Sequence, residues 1–494
     1  MSSSTKKIAS STAIYGIGTM LRGVSSFILL PLYTTYLAVA DYGLIELLNI
    51  VLDLAVLLLG SRVAVGVFKF YSDAPDSKSK ARVIGTAMLL LIAVNLLAIF
   101  IIYLFTDTIV QLLGAPDDFG FALRVFSISL LFAACNEIYF SYLRIEDKPA
   151  QYVAMNFVKL MLQIFLNILF IVYLEKGFWG IIWGAVISNF VVTIIFTFKL
   201  MPRIGFGVSL DQCKHLINFS WPIIVSSIGM YYITFGDRYF IQYYHTIETV
   251  GIYALAYKFG FMLFALIWVP FSTYWSANQF EHAKQPGAEV LFGNVFLFAN
   301  VILIAAASGM IVLAPGFIYV FAQEEYWPAV EVVPWVVAAY VLQCWTEYVR
   351  FGILNAAKTR YIAYATYITV ILITGLYYMW IPLEGAVGAA KATLVAFIVR
   401  FGIIYYFSQG LFRIAFPWSR LIMLIAYFSG LSIFITVLIP DELWALLLKA
   451  SVVLFAIILL FFTPILEREH RLYVREAVCK LAGNMLRKIS WRFH

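Results

Sequence analysis

Residues 21–48 read LRGVSSFILLPLYTTYLAVADYGLIELL. Two apolar runs meet at a turn too short for a folded loop, and each run has an ionisable residue embedded in it, Arg22 and Glu46. A helix of about twenty mostly apolar residues spans the hydrocarbon core of a bilayer. Every backbone polar group there must be satisfied inside the segment, which selects helices or closed barrels. The stretch therefore reads as the end of one membrane helix, a tight reversal, and the start of a second. The first run extends back to Thr12 behind Lys6 and Lys7, too long for a signal peptide and without a small-residue cleavage site, so it is expected to be a retained span.

The pattern repeats along the chain. Of 494 residues, 63% are hydrophobic and 12% charged. Soluble domains carry roughly 25% charged residues, and about half of a folded protein's surface must still face water. A soluble fold could not hide this much apolar surface, but a bilayer-embedded one can. Fourteen candidate spans run from 12–37 to 443–464. Connections after even-numbered spans hold Lys78, Lys80, Arg82, Arg144, Lys148, Lys199, Arg203, Lys214, Lys284, Lys358, Arg360, Arg413 and Arg420. The opposite connections hold Lys176 as their one basic residue, beside acids such as Asp107, Asp117, Glu324 and Glu325. Basic loops stay in the cytoplasm, so both termini are expected there. A register error of one span would have scrambled the alternation.

All connections are short. No soluble domain and no GxxxxGK[ST] phosphate loop is present, so ATP hydrolysis by that route is excluded. Cys135, Cys213, Cys344 and Cys479 show neither disulfide nor metal-ligand spacing, and no cofactor or metal is expected. The net charge of +7 is spent on membrane topology rather than on nucleic acid.

Two halves resemble one another. Residues 34–48, TTYLAVADYGLIELL, and 242–256, QYYHTIETVGIYALA, each carry a short turn followed by a glycine, Gly43 or Gly251, that opens the next helix. Superposing the glycines aligns spans one and two with seven and eight, a common transporter plan. The expected organisation is an all-α polytopic membrane protein of about fourteen transmembrane helices, in two related halves with two extra C-terminal helices. The boundaries expected are 1–210 for the first half, 211–412 for the second and 413–466 for helices thirteen and fourteen. A basic amphipathic tail, 467–494, is expected to lie on the cytoplasmic surface.

Charges inside spans are costly and face a bundle interior or a water-filled cavity. Arg22, Arg62, Lys159, Arg238, Lys258, Lys391 and Arg400 are basic residues so placed, and Glu46, Asp53, Glu137, Asp237 and Glu347 are acidic. The surplus is positive, which suits an anion. Tyr15, Arg22, Ser26 and Tyr33 share one helical face, as do Glu46, Asn49 and Asp53. Adjacent Asp237 and Arg238 point about 100° apart and are expected not to pair with each other. Glu347 and Arg350, three apart, are expected to form a structural pair. Arg124, Lys69 and Lys449 read as snorkelling toward an interface. Pro31, Pro222 and Pro270 mark possible bends.

The stretch 21–48 and the later GDRYFIQYYHTIETVGIYALAYKFG, residues 236–260, resemble spans one, two, seven and eight of bacterial polysaccharide flippases of the Wzx type. These belong to the multidrug/oligosaccharidyl-lipid/polysaccharide exporter superfamily, so the resemblance implies two six-helix lobes around a central cleft. The resemblance implies an inner-membrane flippase that turns an undecaprenyl-diphosphate-linked oligosaccharide from the cytoplasmic to the outer leaflet. Polysaccharide polymerase or chain-length proteins would be its partners. In the related lipid II flippases, arginines on spans one, two and eight line the cleft. By resemblance, Arg22, Arg62 and Lys258 would bind the pyrophosphate, the third being lysine where those proteins have arginine. Lys159, Arg238, Lys391 and Arg400 are secondary cleft candidates, and Asp53, Glu137 and Asp237 are candidates for ion coupling. Competing readings are a cation-coupled multidrug exporter of the same superfamily and a membrane polymerase or glycosyltransferase. Fourteen spans and a basic interior argue against the first, and the shortness of the loops argues against the second.

Overall fold

Gly114, Gly177 and Gly287 take positive φ at chain reversals, and Asp76, Ser209 and Thr246 cap the helices that follow them by accepting a backbone N–H. These local signals cut the apolar sequence into membrane-length pieces. The computed structural model describes residues 28–59, 67, 70–71, 74–116, 118–204, 207–440 and 443–460. Arg22, Arg62, Lys69 and the 467–494 tail lie outside them.

The helices are α1 (Leu30–Tyr36), α2 (Val39–Leu59), α3 (Ser77–Leu113), α4 (Asp118–Ile145), α5 (Pro149–Tyr173), α6 (Phe178–Ile204) and α7 (Leu210–Tyr244). Next come α8 (Ile247–Leu263, continued into Val269–His282), α9 (Ala288–Phe321) and α10 (Ala329–Asn355). Then follow α11 and α12, the arms 360–384 and 386–411, and finally α13 (Trp418–Leu438) and α14 (Leu443–Leu460). No strand occurs among the described residues. Nine of the described helices are long and apolar enough to cross a membrane. Large apolar side chains are exposed on the outer helices, such as Phe100, Phe165, Ile371, Ile433 and Leu447, as a lipid-facing surface requires.

Arg360–Leu411 runs as 52 helical residues, which would be about 78 Å long, far beyond a bilayer core of about 30 Å. Gly385 breaks it with φ 55° and ψ −125°. Tyr361 and Phe407, near opposite ends of the run, stack with centroids 4.3 Å apart. The segment is therefore a hairpin of two helices, as the spans read near 362–381 and 385–408 require.

The helices form two lobes joined where α2 packs on α7 and α8, while α13 and α14 pack on α9. Ser308 on α9 and Ser432 on α13 hydrogen-bond at 2.7 Å, and Val312, Ile435 and Val453 make the small core between α9, α13 and α14. The free cysteines described are Cys135, Cys213 and Cys344.

The connections poor in basic residues meet at one end of the molecule. Gln242 Nε2 donates to Gly114 O at 3.1 Å, and His245 Nε2 lies 2.6 Å from Ile381 O. Gln323 Nε2 donates to Thr35 O at 2.9 Å and Thr34 Oγ1 to Phe321 O at 2.9 Å. The basic connections meet at the other end, where Ser209 N donates to Thr86 Oγ1, Tyr71 OH to Glu146, and Ala415 N to Glu289 O.

At the acidic end the lobes cross at α2 and α8. A side chain at Gly43 would strike the carbonyl of Ile247, and one at Gly251 would strike the carbonyl of Val39. The offsets are equal, since 251 − 43 = 208 and 247 − 39 = 208. Such a reciprocal contact is what a two-fold axis between equivalent helices produces. The glycines aligned from sequence are thus the residues that permit the two backbones to touch.

Lys449 departs from the sequence reading. It is fully buried on α14, not snorkelling, because α14 packs against α9 along the face that carries it.

Candidate functional site

A cavity of about 350 Å³ opens between the lobes, starting about one turn from the glycine crossing. α2 contributes Glu46, Asn49, Ile50 and Asp53. α7 contributes Met230, Thr234, Phe235 and Arg238, and α8 contributes Ala254, Tyr257, Lys258, Phe261 and Phe264. Tyr340 and Gln343 of α10 and Phe397 of α12 close the far wall. The residues from α2 recur at helical spacing, so one face of that helix lines the space. The residues of α8 do the same until Phe264–Trp268, where the helix widens into a π turn ahead of Pro270. Proline has no N–H to give, and π turns absorb such interruptions.

The polar groups are arranged in tiers. Lys258 Nζ pairs with Glu46 Oε1 across the lobe boundary at 3.1 Å; Glu46 is buried and Lys258 partly open to the cavity. Asp53, two turns further along α2, is exposed to the cavity and has no ion-pair partner among the described residues. Arg238 is buried, with its guanidinium 4.1 Å from the Tyr257 ring centroid and 5.1 Å from that of Tyr253. Its Nη1 donates to Asp237 Oδ1 at 2.7 Å and to Thr234 O at 2.9 Å. Asp237 Oδ2 accepts from Tyr253 OH at 2.6 Å.

Asp237 and Arg238 do pair, contrary to the helical-wheel expectation. The wheel fixes Cβ directions, but arginine is long enough to curl back one turn and bring its fork onto its neighbour's carboxylate. Asp237 is fully buried and does not line the cavity, whereas Arg238 reaches the cavity wall.

Lys391 pairs with Glu384 at 2.6 Å beside Trp335, away from the cavity lining. Lys159 donates to Asn189 Oδ1 at 2.9 Å between α5 and α6. Glu137 pairs with Arg144 at 3.4 Å in the basic-end half of α4. Arg400 is buried one shell back, where its Nη1 donates to Gln343 Oε1 at 2.8 Å and thereby orients a cavity amide. Glu347 and Arg350 pair at 2.6 Å as expected. Of the residues singled out from sequence, the structure brings Lys258, Asp53 and Arg238 to one cavity. Glu46 and Asn49, on the same expected face as Asp53, line it as well, and the structure adds Gln343 and the aromatic wall of Tyr257, Phe261, Phe264, Tyr340 and Phe397.

The charge balance differs from the sequence count. Among the described residues the cavity lining holds two cations, Arg238 and Lys258, and two carboxylates, Glu46 and Asp53. Both cations are already matched. Arg22 and Arg62, the other two residues expected to bind the pyrophosphate, lie outside the described residues.

Two helical lobes facing each other across a charged cavity define a multi-pass membrane protein built around an inter-lobe site. The fold is shared with a solved structure of the lipid II flippase MurJ in an inward closed conformation, with a TM-score of 0.69 and 14% identity over 92% of this chain and 97% of that one. It is also shared with an inward-facing multidrug resistance MATE family transporter of the MOP superfamily, with a TM-score of 0.62 and 15% identity over 81% and 95%. A further MATE structure, in the bent conformation, gives 0.56 and 15% over 86% and 97%. Residues 35–331 match the model of the polysaccharide biosynthesis protein family, and the chain belongs to that family. A search of curated proteins finds no match.

Proposed function

We propose that the protein flips an undecaprenyl-diphosphate-linked polysaccharide repeat unit from the cytoplasmic to the outer leaflet of a bacterial inner membrane. The observation that carries this reading is Lys258, a cation held inside the membrane at the wall of a cavity between two lobes. A diphosphate crossing a low-dielectric slab needs fixed cations to replace its hydration. Lys258 supplies one, and Arg22 and Arg62 would supply planar forks suited to phosphate oxygens. The cavity is at the small end of the range for ligand sites, so it holds the diphosphate end while the sugars follow and the prenyl tail stays in lipid. The aromatic wall offers faces for the first sugar. Basic connections face the cytoplasm, so the glycine crossing sits on the outer side. The lobes rock about the cavity to move the lipid across, and polymerase and chain-length proteins receive it.

The carboxylates of the cavity also favour a second reading, a cation-coupled multidrug exporter. Family membership and the lysine at the cavity wall weigh for the anion. Complementation separates the two. In a strain lacking its own flippase, the wild-type gene should restore surface polysaccharide. Arg22→Ala and Lys258→Gln should not, at equal membrane abundance. Restoration by both variants, or drug resistance without restoration, would overturn the proposal.

A further inference from the structure

We infer that Glu46 is the resident counter-ion of the anion site: it occupies Lys258 in the empty cavity, is displaced when a diphosphate binds, and then takes up a proton. The inference rests on the reading of Lys258 as a diphosphate contact given above.

The geometry leads there in three steps. Glu46 Oε1 lies 3.1 Å from Lys258 Nζ, and this pair bridges the two lobes. Lysine is a compact point charge with three donors, so a multiply charged phosphate arriving in the cavity competes directly with one carboxylate for it. Once Lys258 turns to the phosphate, Glu46 is a buried carboxylate without a partner. Burying such a charge costs several kcal/mol per ion, and the group neutralises instead.

No other described cation can take over. The charged and titratable groups facing Glu46 are Lys258 on α8, Arg238 on α7, and Asp53 and Tyr42 on α2 itself. Arg238 is held by Asp237 at 2.7 Å and by the Thr234 carbonyl. Asp53 has the same sign as Glu46 and opposes its ionisation. The anion adds more negative charge beside it. The proton comes from water on the side to which the cavity is open, and the balance is simple. Carboxylate–ammonium pair plus diphosphate plus one proton gives carboxylic acid plus ammonium–diphosphate pair. The empty cavity is then internally neutral at this pair, and the loaded one carries its anion with one added proton.

The sign of the linkage follows. The loaded state binds one more proton than the empty state, so anion affinity rises as pH falls. The test is binding of inorganic pyrophosphate, and of a short-chain prenyl diphosphate, to the full-length protein in detergent micelles in weak buffer with a pH-indicator dye. Wild type should take up about one proton per anion beyond the uptake of Glu46→Gln, and its affinity should fall by up to about tenfold per unit rise in pH relative to that variant. Glu46→Gln should bind more tightly, by about tenfold or more. Binding by wild type through Lys258 with no proton difference from Glu46→Gln overturns the inference and leaves the anion site standing. Loss of the proton in Asp53→Asn but not in Glu46→Gln transfers the role to Asp53 and overturns the assignment. Binding unchanged in Lys258→Gln removes the anion site itself. If Glu46→Gln fails to accumulate, the wild-type proton count against Asp53→Asn decides, with no uptake in wild type overturning the inference. Binding of the prenyl diphosphate but not of pyrophosphate names the lipid as the source of the phosphate.

Discussion

Lys258 and Asp53 were legible as single residues because a charge inside an apolar span demands a reason. The partner of Lys258 was not. The pairing of Lys258 with Glu46 depends on α2 crossing α8, and no spacing along the chain encodes that crossing. The pairing of Arg238 with Asp237 depends on side-chain reach rather than on helical angle. That second pair is buried, so removing one partner should be costly. Asp237→Asn should destabilise the second lobe by about 3–5 kcal/mol, read as an earlier unfolding transition in detergent; an unchanged transition would mean that the pair is dispensable. At the basic end, the hydrogen bond from Tyr71 and then Lys148 hold the Glu146 carboxyl below its ordinary range. A depressed carboxylate stabilises above its unfolded value and loses that contribution as pH falls through the folded one. Glu146→Gln should therefore unfold slightly earlier than wild type at neutral pH, by at most about 1 kcal/mol for so exposed a pair. The gap should close in acid, and a gap that widens in acid would contradict the cause.

Helices α2 and α8 show how much of an element the sequence can carry. The alignment of Gly43 with Gly251 came from two short matching stretches, and the structure turns it into a backbone contact between lobes. Gly43→Val or Gly251→Val should pry that contact apart. The bonds from Thr34, Thr35 and Gln323 around it should then loosen. A cysteine pair at Thr35 and Gln323 should cross-link readily in the wild-type background and poorly in either valine variant, and equal cross-linking would place the closure elsewhere. Gly385 is a different case. Its φ of 55° and ψ of −125° lie where essentially only glycine goes, at a cost of about 1–3 kcal/mol for other residues. The sequence marked two spans there but gave no sign that their reversal is a single residue within continuous helix. The π turn of α8 was not foreseen either, although Pro270 lay beside it.

At the scale of the whole molecule, composition and the alternation of basic loops were enough for an all-helical bundle of about fourteen helices, and the two lobes followed from the matching glycine stretches and the family resemblance. Burial partners were beyond reach because lipid-facing and core-facing helices are equally apolar. Lys449 was misread for that reason, since its burial depends on α14 docking on α9. The ion pairs among the buried charges were beyond reach for a related reason, because counting charges along spans ignores which of them neutralise each other. The orientation of the bundle is open to a direct check. With native cysteines replaced by serine, a membrane-impermeant maleimide on intact cells should label Glu325→Cys, and Lys358→Cys only after permeabilisation. The reverse pattern would invert the bundle.

The central claim is that a cation at the inter-lobe cavity carries a lipid diphosphate between leaflets. It is tested most directly in liposomes holding a fluorescent prenyl-diphosphate-linked oligosaccharide and the purified protein, with an impermeant quencher added outside. Wild type should make the inner-leaflet lipid accessible to the quencher, and Lys258→Gln, folded and inserted equally, should slow this by about tenfold or more. Equal exchange by the two proteins would contradict the account.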